Sequence, residues 1–361
     1  MKPQIRLPPF WCEVCSKDLQ SAKALSEHDG GRKHLKRAFR SGAVSIVATS
    51  ASVPPAVPWG HIEEAEIFEG LASGTYRNVV VLTGAGASTA AGIPDFRSPG
   101  VGLFDAIRAR FGDRYPETGD CPEHILSRSF AAANTEIWER EVLPMTRLMH
   151  AGGNSGGIRF EPTRAHRFCA WLHRRGALRR VYTQNVDGLH THSSLGMPEE
   201  AVVECHGATR DGSLVLYGDP LPKRFYDCCD LDFPTTTSGR GGKVDLLLTF
   251  GSSLQVAPFC AVPNMTPRGS VRVLVNRSLR DCLRNEFCTP LGASRRYGMV
   301  NTHRAQIGSR KDVPLRSMWT GREGNKKWRQ LLVEEDCDAF VDRFFGSSHA
   351  VERGLGLDVA E

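Results

Sequence analysis

The run Val79-Val80-Val81-Leu82 leads through Thr83 into Gly84-Ala85-Gly86. Consecutive aliphatic residues of this kind suit a strand buried on both faces, which means a parallel strand covered by helices. A glycine turn directly after such a strand lets backbone N–H groups come close to a phosphate. One Gly-x-Gly is a weak signal alone, but further strand-like runs follow at 179–185 (RRVYTQN), 244–253 (VDLLLTFGSS) and 271–276 (VRVLVN). They alternate with helical stretches such as AHRFCAWLHRR. Strands that alternate with helices and end in Gly or polar residues predict an α/β fold. The expected form is a Rossmann-like, doubly wound parallel sheet with a nucleotide at its carboxyl edge.

With 361 residues, 40% of them hydrophobic, the chain can bury a full core. No stretch approaches the roughly 18 apolar residues of a membrane helix, and MKPQIRLPPFWCEVC lacks the apolar run of a secretory signal, so neither a membrane partner nor export is expected. Eleven cysteines, an odd and scattered set, fit reduced thiols in the nucleus or cytoplasm better than a disulfide frame. The net charge of +6 is uneven: residues 1–40 carry +5, residues 277–330 carry +9, and the remainder is −8. Two basic segments on an acidic body imply either a polyanionic partner for those segments or two solvated faces.

Cys12 and Cys15 are followed after twelve residues by His28 and after five more by His34. Two thiolates on a knuckle and two imidazoles from a helix can close a tetrahedron around zinc, so residues 1–40 are predicted to form a small zinc finger, with Trp11, Leu19 and Leu25 as its core. The long histidine spacing resembles matrin-type fingers that bind RNA or DNA. That resemblance implies phosphate contacts from Lys33, Lys36 and Arg37, with backbone or shape recognition of nucleic acid, or protein binding, as the open alternatives. Residues 41–60, rich in small residues and Pro, read as a flexible linker. The finger and the basic charge imply a nuclear location, with the cytoplasm as the alternative.

Seven motifs then occur in the order found in sirtuins, the NAD-dependent protein deacylases: GAGASTAAGIPDFRSPGVGL (84–103), TQNVDGLH (183–190), ECHG (204–207), YGDPLP (217–222), GSSLQVAPF (251–259), LVN (274–276) and DCDAF (336–340). Each has an ordinary structural reading singly, as turn glycines or a strand-end histidine. Together they resemble the family over about residues 62–346, which implies a catalytic domain at 61–346 and a tail at 347–361. The resemblance implies that an acyl-lysine protein or peptide attacks the ribose of NAD with release of nicotinamide. Gly84, Ala85, Gly86 and Ser88 would cradle phosphates, Arg97 would add charge, and Phe96 would cover the ribose, with Asp95 beside them in the cofactor set. Gln184 and Asn185 would face the nicotinamide ribose, Asn185 also counting as catalytic, while the Val186 backbone and Asp187 would take the carboxamide. Gly251, Ser252, Ser253, Asn276, Arg277 and Cys337 would receive the adenosine half. His206 would be the general base on a ribose hydroxyl, a role that an imidazole of pKa near ~6.5 can fill when neutral. The acyl-peptide would lie as a third strand between LVLYGD and SLQV, its lysine in an apolar tunnel drawn from Val215, Leu216 and Phe104. No Tyr and Arg pair follows GLFDAIRARFG as in sirtuins that prefer acidic acyl groups, so acetyl or another neutral acyl group is expected.

The chain departs from the family pattern in two places. Most sirtuins carry two Cys-x-x-Cys knuckles, holding a structural zinc, between the His-Gly and the strand ending Phe-Gly-Glu; here ATRDGS spans that gap and a second strand-like run comes at once. Cys228 and Cys229 are adjacent and read as ordinary thiols, so the body is expected to be metal-free with a small domain reduced to helices between about 100 and 160. Asp219 stands for the usual Glu and Leu216 for the usual aromatic. Residues 278–330 form a long basic insertion with Tyr297, Trp319 and Trp328 among its charges, which suits nucleic acid or, equally, a solvated loop. Two other functions are compatible with the sequence: a nucleic-acid-binding protein whose sirtuin body senses NAD without turnover, and a protein ADP-ribosyltransferase.

Overall fold

The computed structural model describes residues 11–12, 17–18, 62–147, 159–233, 244–267, 269–279, 282 and 329–357. The chain divides into two compact units, Met1–Pro55 and Ala56–Glu361. In the first, β1 (Trp11–Cys12) pairs antiparallel with β2 (Lys17–Asp18). The predicted ligands Cys15, His28 and His34 lie outside the described residues, as do the linker 41–60 and most of the insertion 278–330.

In the second unit β3 (Val79–Thr83), β4 (Leu178–Thr183), β5 (Val202–Glu204), β6 (Leu246–Phe250), β7 (Val271–Val275) and β8 (Arg329–Val333) form a six-stranded sheet in the order β5-β4-β3-β6-β7-β8. Every neighbouring pair is parallel. This is the doubly wound order, with its reversal between β3 and β6, where ligands bind beyond the strand ends. The predicted α/β class therefore holds for the body.

Strand residues alternate between two cores, as the period of two requires. Val79, Val81, Leu246, Leu248 and Val273 meet helices α1 (Glu64–Ser73), α4 (Arg164–Arg174) and α6 (Cys337–Gly346) on one face. Val80, Leu82, Leu247 and Leu274 meet α5 (Lys223–Asp232) and the turn Phe259–Ala261 on the other. Cys228 and Cys229 are buried on α5 within this second core. In α4 the spacing of Ala165, Phe168, Cys169, Trp171 and Leu172 gives one apolar stripe. A third cluster, around α2 (Leu103–Phe111) and α3 (Arg128–Ala133), makes a helical lobe from Ile107, Phe111, Ile125 and Phe130.

Two boundaries differ from the sequence reading. The expected tail is packed to Leu357: Ala350 and Leu357 are buried in the first core, and His349 and Arg353 pair with Glu69 of α1. The insertion ends earlier than expected, since β8 opens at Arg329, while Cys282 is buried in the second core. Among the described residues no helix is long and apolar enough to cross a membrane.

One buried ion cluster fastens α5 to the sheet. The fully buried carboxylate of Asp232 accepts from Arg179 Nε at 2.8 Å, Arg180 Nε at 2.6 Å and the Tyr182 hydroxyl at 2.6 Å. Removing one partner of a buried charge set leaves the others uncompensated. Asp232→Asn should therefore lower unfolding free energy by about 3 kcal/mol in urea denaturation at pH 7; a loss below about 0.5 kcal/mol would contradict this role.

Candidate active site

A cavity of about 340 Å³ opens at the carboxyl ends of β3, β4 and β6. Its wall brings together Gly84, Ala85, Gly86, Asp95, Phe96, Arg97, Gln184, Asn185, His206, Gly251, Ser252, Ser253, Asn276, Arg277 and Cys337, all singled out in the sequence. Thr89, Ser98, Pro99, Tyr217, Val256 and Ser278 also line it. Thr89, Ser98, Pro99, Tyr217 and Val256 sit inside the quoted motifs, and Ser278 follows one closely, so neighbourhood in sequence was the signal available for them. Val215, Leu216 and Phe104, expected to form the acyl tunnel, are not on this wall. Phe104 instead supports it from beneath, with the Arg97 guanidinium 5.1 Å above its ring and the Phe96 ring at 5.7 Å.

Ser88, Val186 and Asp187 also stand outside the wall. The Ser88 hydroxyl, expected at a phosphate, donates instead to Asp187 Oδ2 at 2.7 Å. Asp187 Oδ1 accepts from Leu189 N at 2.9 Å, and the Val186 carbonyl accepts from the Thr209 hydroxyl at 3.1 Å. Asn185 Nδ2 donates to Ser88 Oγ at 2.9 Å and to the Gly84 carbonyl at 3.1 Å. These buried polar groups thus form a floor that fixes Asn185 and the glycine turn. They are separated by about a hundred residues in sequence, so only the parallel pairing of β3 with β4 reveals the link. Ser88 therefore braces Asp187 beneath the turn instead of lining the cavity.

His206 comes just after β5. Its Nδ1 lies 3.0 Å from the Gln184 carbonyl. A carbonyl can only accept, so Nδ1 carries the proton and Nε2 is left as the basic nitrogen. Gln184 is fixed in turn, its Oε1 accepting from the Ser252 hydroxyl at 2.6 Å. Burial pushes the His206 pKa down to about 4, against the Gln184 hydrogen bond, which favours the charged ring. The ring is therefore neutral at pH 7, the form a general base needs. Burial pushes Asp187 the other way, up to about 6, partly offset by its bonds from Leu189 and Ser88.

Behind the floor two more histidines pack with ring centroids 4.3 Å apart and their planes tilted by 49°. His190 Nε2 meets the Thr83 hydroxyl at 3.0 Å, and His166 Nδ1 accepts from Thr163 N. Thr163 Oγ1 donates to the Ala87 carbonyl at 2.8 Å, tying the start of α4 to the glycine turn. Burial holds His190 down at about 3, and burial together with its neighbour His190 holds His166 well below the usual imidazole range.

Among the described residues no group of three or more His, Cys, Asp or Glu side chains could hold a metal ion.

These shifts set a sign for the pH dependence of stability. His166, His190 and His206 have depressed folded pKa values, so their stabilising contribution is present above about pH 6.5 and fades as pH falls toward 4. Asp187 is raised and acts oppositely: its contribution is complete below about pH 4 and is lost as pH rises through about 6. At pH 5 unfolding should take up protons at the histidines and release one from Asp187, a net uptake from these groups. The slope of unfolding free energy against pH between 4.5 and 6 measures it, and net release would contradict it.

The model of the Sir2 family matches residues 84–213, which span the glycine turn, the Gln-Asn-x-Asp stretch and His206. The chain is 31% identical over 254 residues to the NAD-dependent deacetylase sir2A of Dictyostelium discoideum, covering 58% of this chain and 43% of that protein. It is 28% identical over 256 residues to the NAD-dependent protein deacetylase hst2 of Schizosaccharomyces pombe, covering 60% and 69%. It is 30% identical over 261 residues to the NAD-dependent protein deacetylase SIR2rp1 of Trypanosoma brucei brucei, covering 62% and 67%. The chain thus spans between two fifths and about two thirds of the length of these relatives. The parallel sheet, the glycine-lined cavity with its histidine and the extent of these matches agree: the chain belongs to the Sir2 family.

Proposed function

We propose that this protein is an NAD-dependent protein lysine deacylase, acting on acetyl or another neutral acyl group and transferring it to ADP-ribose with release of nicotinamide. The observation that carries the reading is His206, held in one tautomer by the Gln184 carbonyl, in the same cavity as the Gly84–Gly86 turn and Asn185. The names of the relatives support it.

The cavity fits a dinucleotide in chemistry: a glycine turn on which a Cβ would strike backbone, two arginines, and hydroxyl and amide groups between them. Bound NAD supplies a cationic nicotinamide leaving group and the hydroxyls of its ribose. The Ala85 amide and Arg97 hold the pyrophosphate, while the Gly84 and Gly86 amides, spent on the Phe250 and Gly251 carbonyls, hold the turn itself in place. Ser252, Ser253, Asn276, Arg277 and the Cys337 backbone take the adenosine half. Arg277 is oriented for this by its ion pair with Asp336 at 2.6 Å, the residue that caps α6. Gln184 and Asn185 orient the ribose, Asp187 and the Val186 backbone lie on the carboxamide side, and Phe96 excludes water. His206 accepts a ribose hydroxyl proton at Nε2, and its depressed pKa keeps that site vacant at neutral pH. Orientation is the main contribution such a site makes, since the leaving group departs uncharged.

For the N-terminal unit we infer one zinc ion on Cys12, Cys15, His28 and His34, and a tether to RNA or DNA that places the enzyme in the nucleus. Cys12 ends β1, and the spacing of Cys15 three positions on suits a zinc knuckle in sequence. The basic charge of residues 1–40 and of the 278–330 insertion supports a polyanionic partner.

Nicotinamide release by the wild type with an acetyl-lysine peptide should fall at least about 100-fold in His206→Ala. Absence of peptide-dependent release by the wild type removes the deacylase reading. Elemental analysis should find one zinc per chain, lost in Cys15→Ser; two per chain would contradict a metal-free body.

A further inference from the structure

The segment that joins His206 to α5 has two anchors. At its start Val215 N donates to the His206 carbonyl at 2.9 Å, across a turn that only glycine can make: Gly207 has φ +70°, and a Cβ there would lie 1.9 Å from the Ser213 carbonyl oxygen. The turn is closed by Ser213 Oγ, which accepts from Ala208 N, and by Arg210, paired with both oxygens of Glu204 at 2.5 and 2.6 Å. At its end the segment is fastened to the helical lobe instead of the sheet. Tyr217 N donates to the Leu126 carbonyl at 3.0 Å, and Arg128 N donates to the Tyr217 carbonyl at 2.8 Å. Arg128 Nε and Nη2 then grip Asp219 Oδ1 and Oδ2 at 2.8 and 2.7 Å, while Asp219 Oδ2 also accepts from Leu216 N at 3.0 Å. At this second anchor Tyr217 also lines the cavity wall with His206.

We propose that the Arg128–Asp219 pair and the Tyr217 backbone bridge form a clasp that holds Tyr217 on the wall it shares with His206, so that Arg128 and Asp219 are positioning residues for the acyl-lysine substrate that meets that wall. This rests on the deacylase reading. Asp219 accepts along both carboxylate oxygens from a planar fork, which fixes direction as well as distance. The Arg128 side chain is 57% exposed, so the pair adds little to global stability, and its consequence is local. Loss of the clasp frees the far anchor and leaves the glycine turn and the nucleotide end of the cavity as they are.

The test is a double-mutant cycle in the full-length protein with an acetyl-lysine peptide. Arg128→Gln and Asp219→Asn should each raise the peptide KM about fivefold, with kcat and the Kd for NAD alone within about twofold of wild type. The double variant should be no worse than either single one, because both remove the same interaction. Amide hydrogen exchange at Leu216 and Tyr217 should quicken in each variant. An unchanged peptide KM with normal wild-type turnover, additive losses in the double variant, or an equal weakening of NAD binding would each overturn the clasp and leave the deacylase reading intact. Absence of wild-type turnover with the peptide would instead overturn that reading and the substrate role together.

Discussion

The close approach of two backbones at the sheet's reversal point is the constraint on which the site depends. Gly86 N donates to the Gly251 carbonyl at 2.9 Å, and Gly84 N donates to the Phe250 carbonyl at 3.0 Å, so the ends of β3 and β6 touch with no side chain between them. A Cβ on Gly86 would lie 2.7 Å from Gly251 Cα, and one on Gly251 would lie 2.4 Å from Ala87 N. Gly251 also has φ +61°, a conformation that strains other residues. This contact leaves the strand ends open above it, and the cavity occupies that opening.

Around this contact, several buried polar groups bond to one another. Thr163 holds the Ala87 carbonyl, Asn185 holds Gly84 and Ser88, and Ser88 holds Asp187. Buried networks of this kind fix geometry because a half-made one is costly. The result is a rigid floor below the cavity and a histidine oriented from the side by a main-chain carbonyl, the preorganisation that an orienting mechanism requires. The helical lobe contributes to the wall through Phe96, Arg97 and the fastening of Tyr217.

Much of the sheet was legible because β3 and β6 open on unbroken apolar runs, Val79–Leu82 and Leu246–Leu248, that a strand covered on both faces needs, while β4 and β7 keep a strand-like pattern around Arg179, Arg180 and Arg272. β5 spans three residues and was visible chiefly through the His206-Gly207 pair just beyond its end. Residues 214–217 look equally strand-like, yet only Tyr217 makes a bridge, because the neighbouring amide of Leu216 turns to Asp219. Local pattern does not record such a competitor. The docking of residues 347–357 depends on Glu69, and the inward turn of Ser88 depends on Asp187; both partners are far away in sequence. Asp232, alone among acids on α5, gathers two arginines and a tyrosine from β4, and nothing in its own helix marks it out.

The most direct measurement is a crystal structure of the protein with NAD and an acetyl-lysine peptide bound. The expected result is a dinucleotide across the Gly84–Gly251 contact, with a nicotinamide-ribose hydroxyl within about 3 Å of His206 Nε2. A histidine ring turned away from the ribose, or a cavity that holds no dinucleotide, would contradict it.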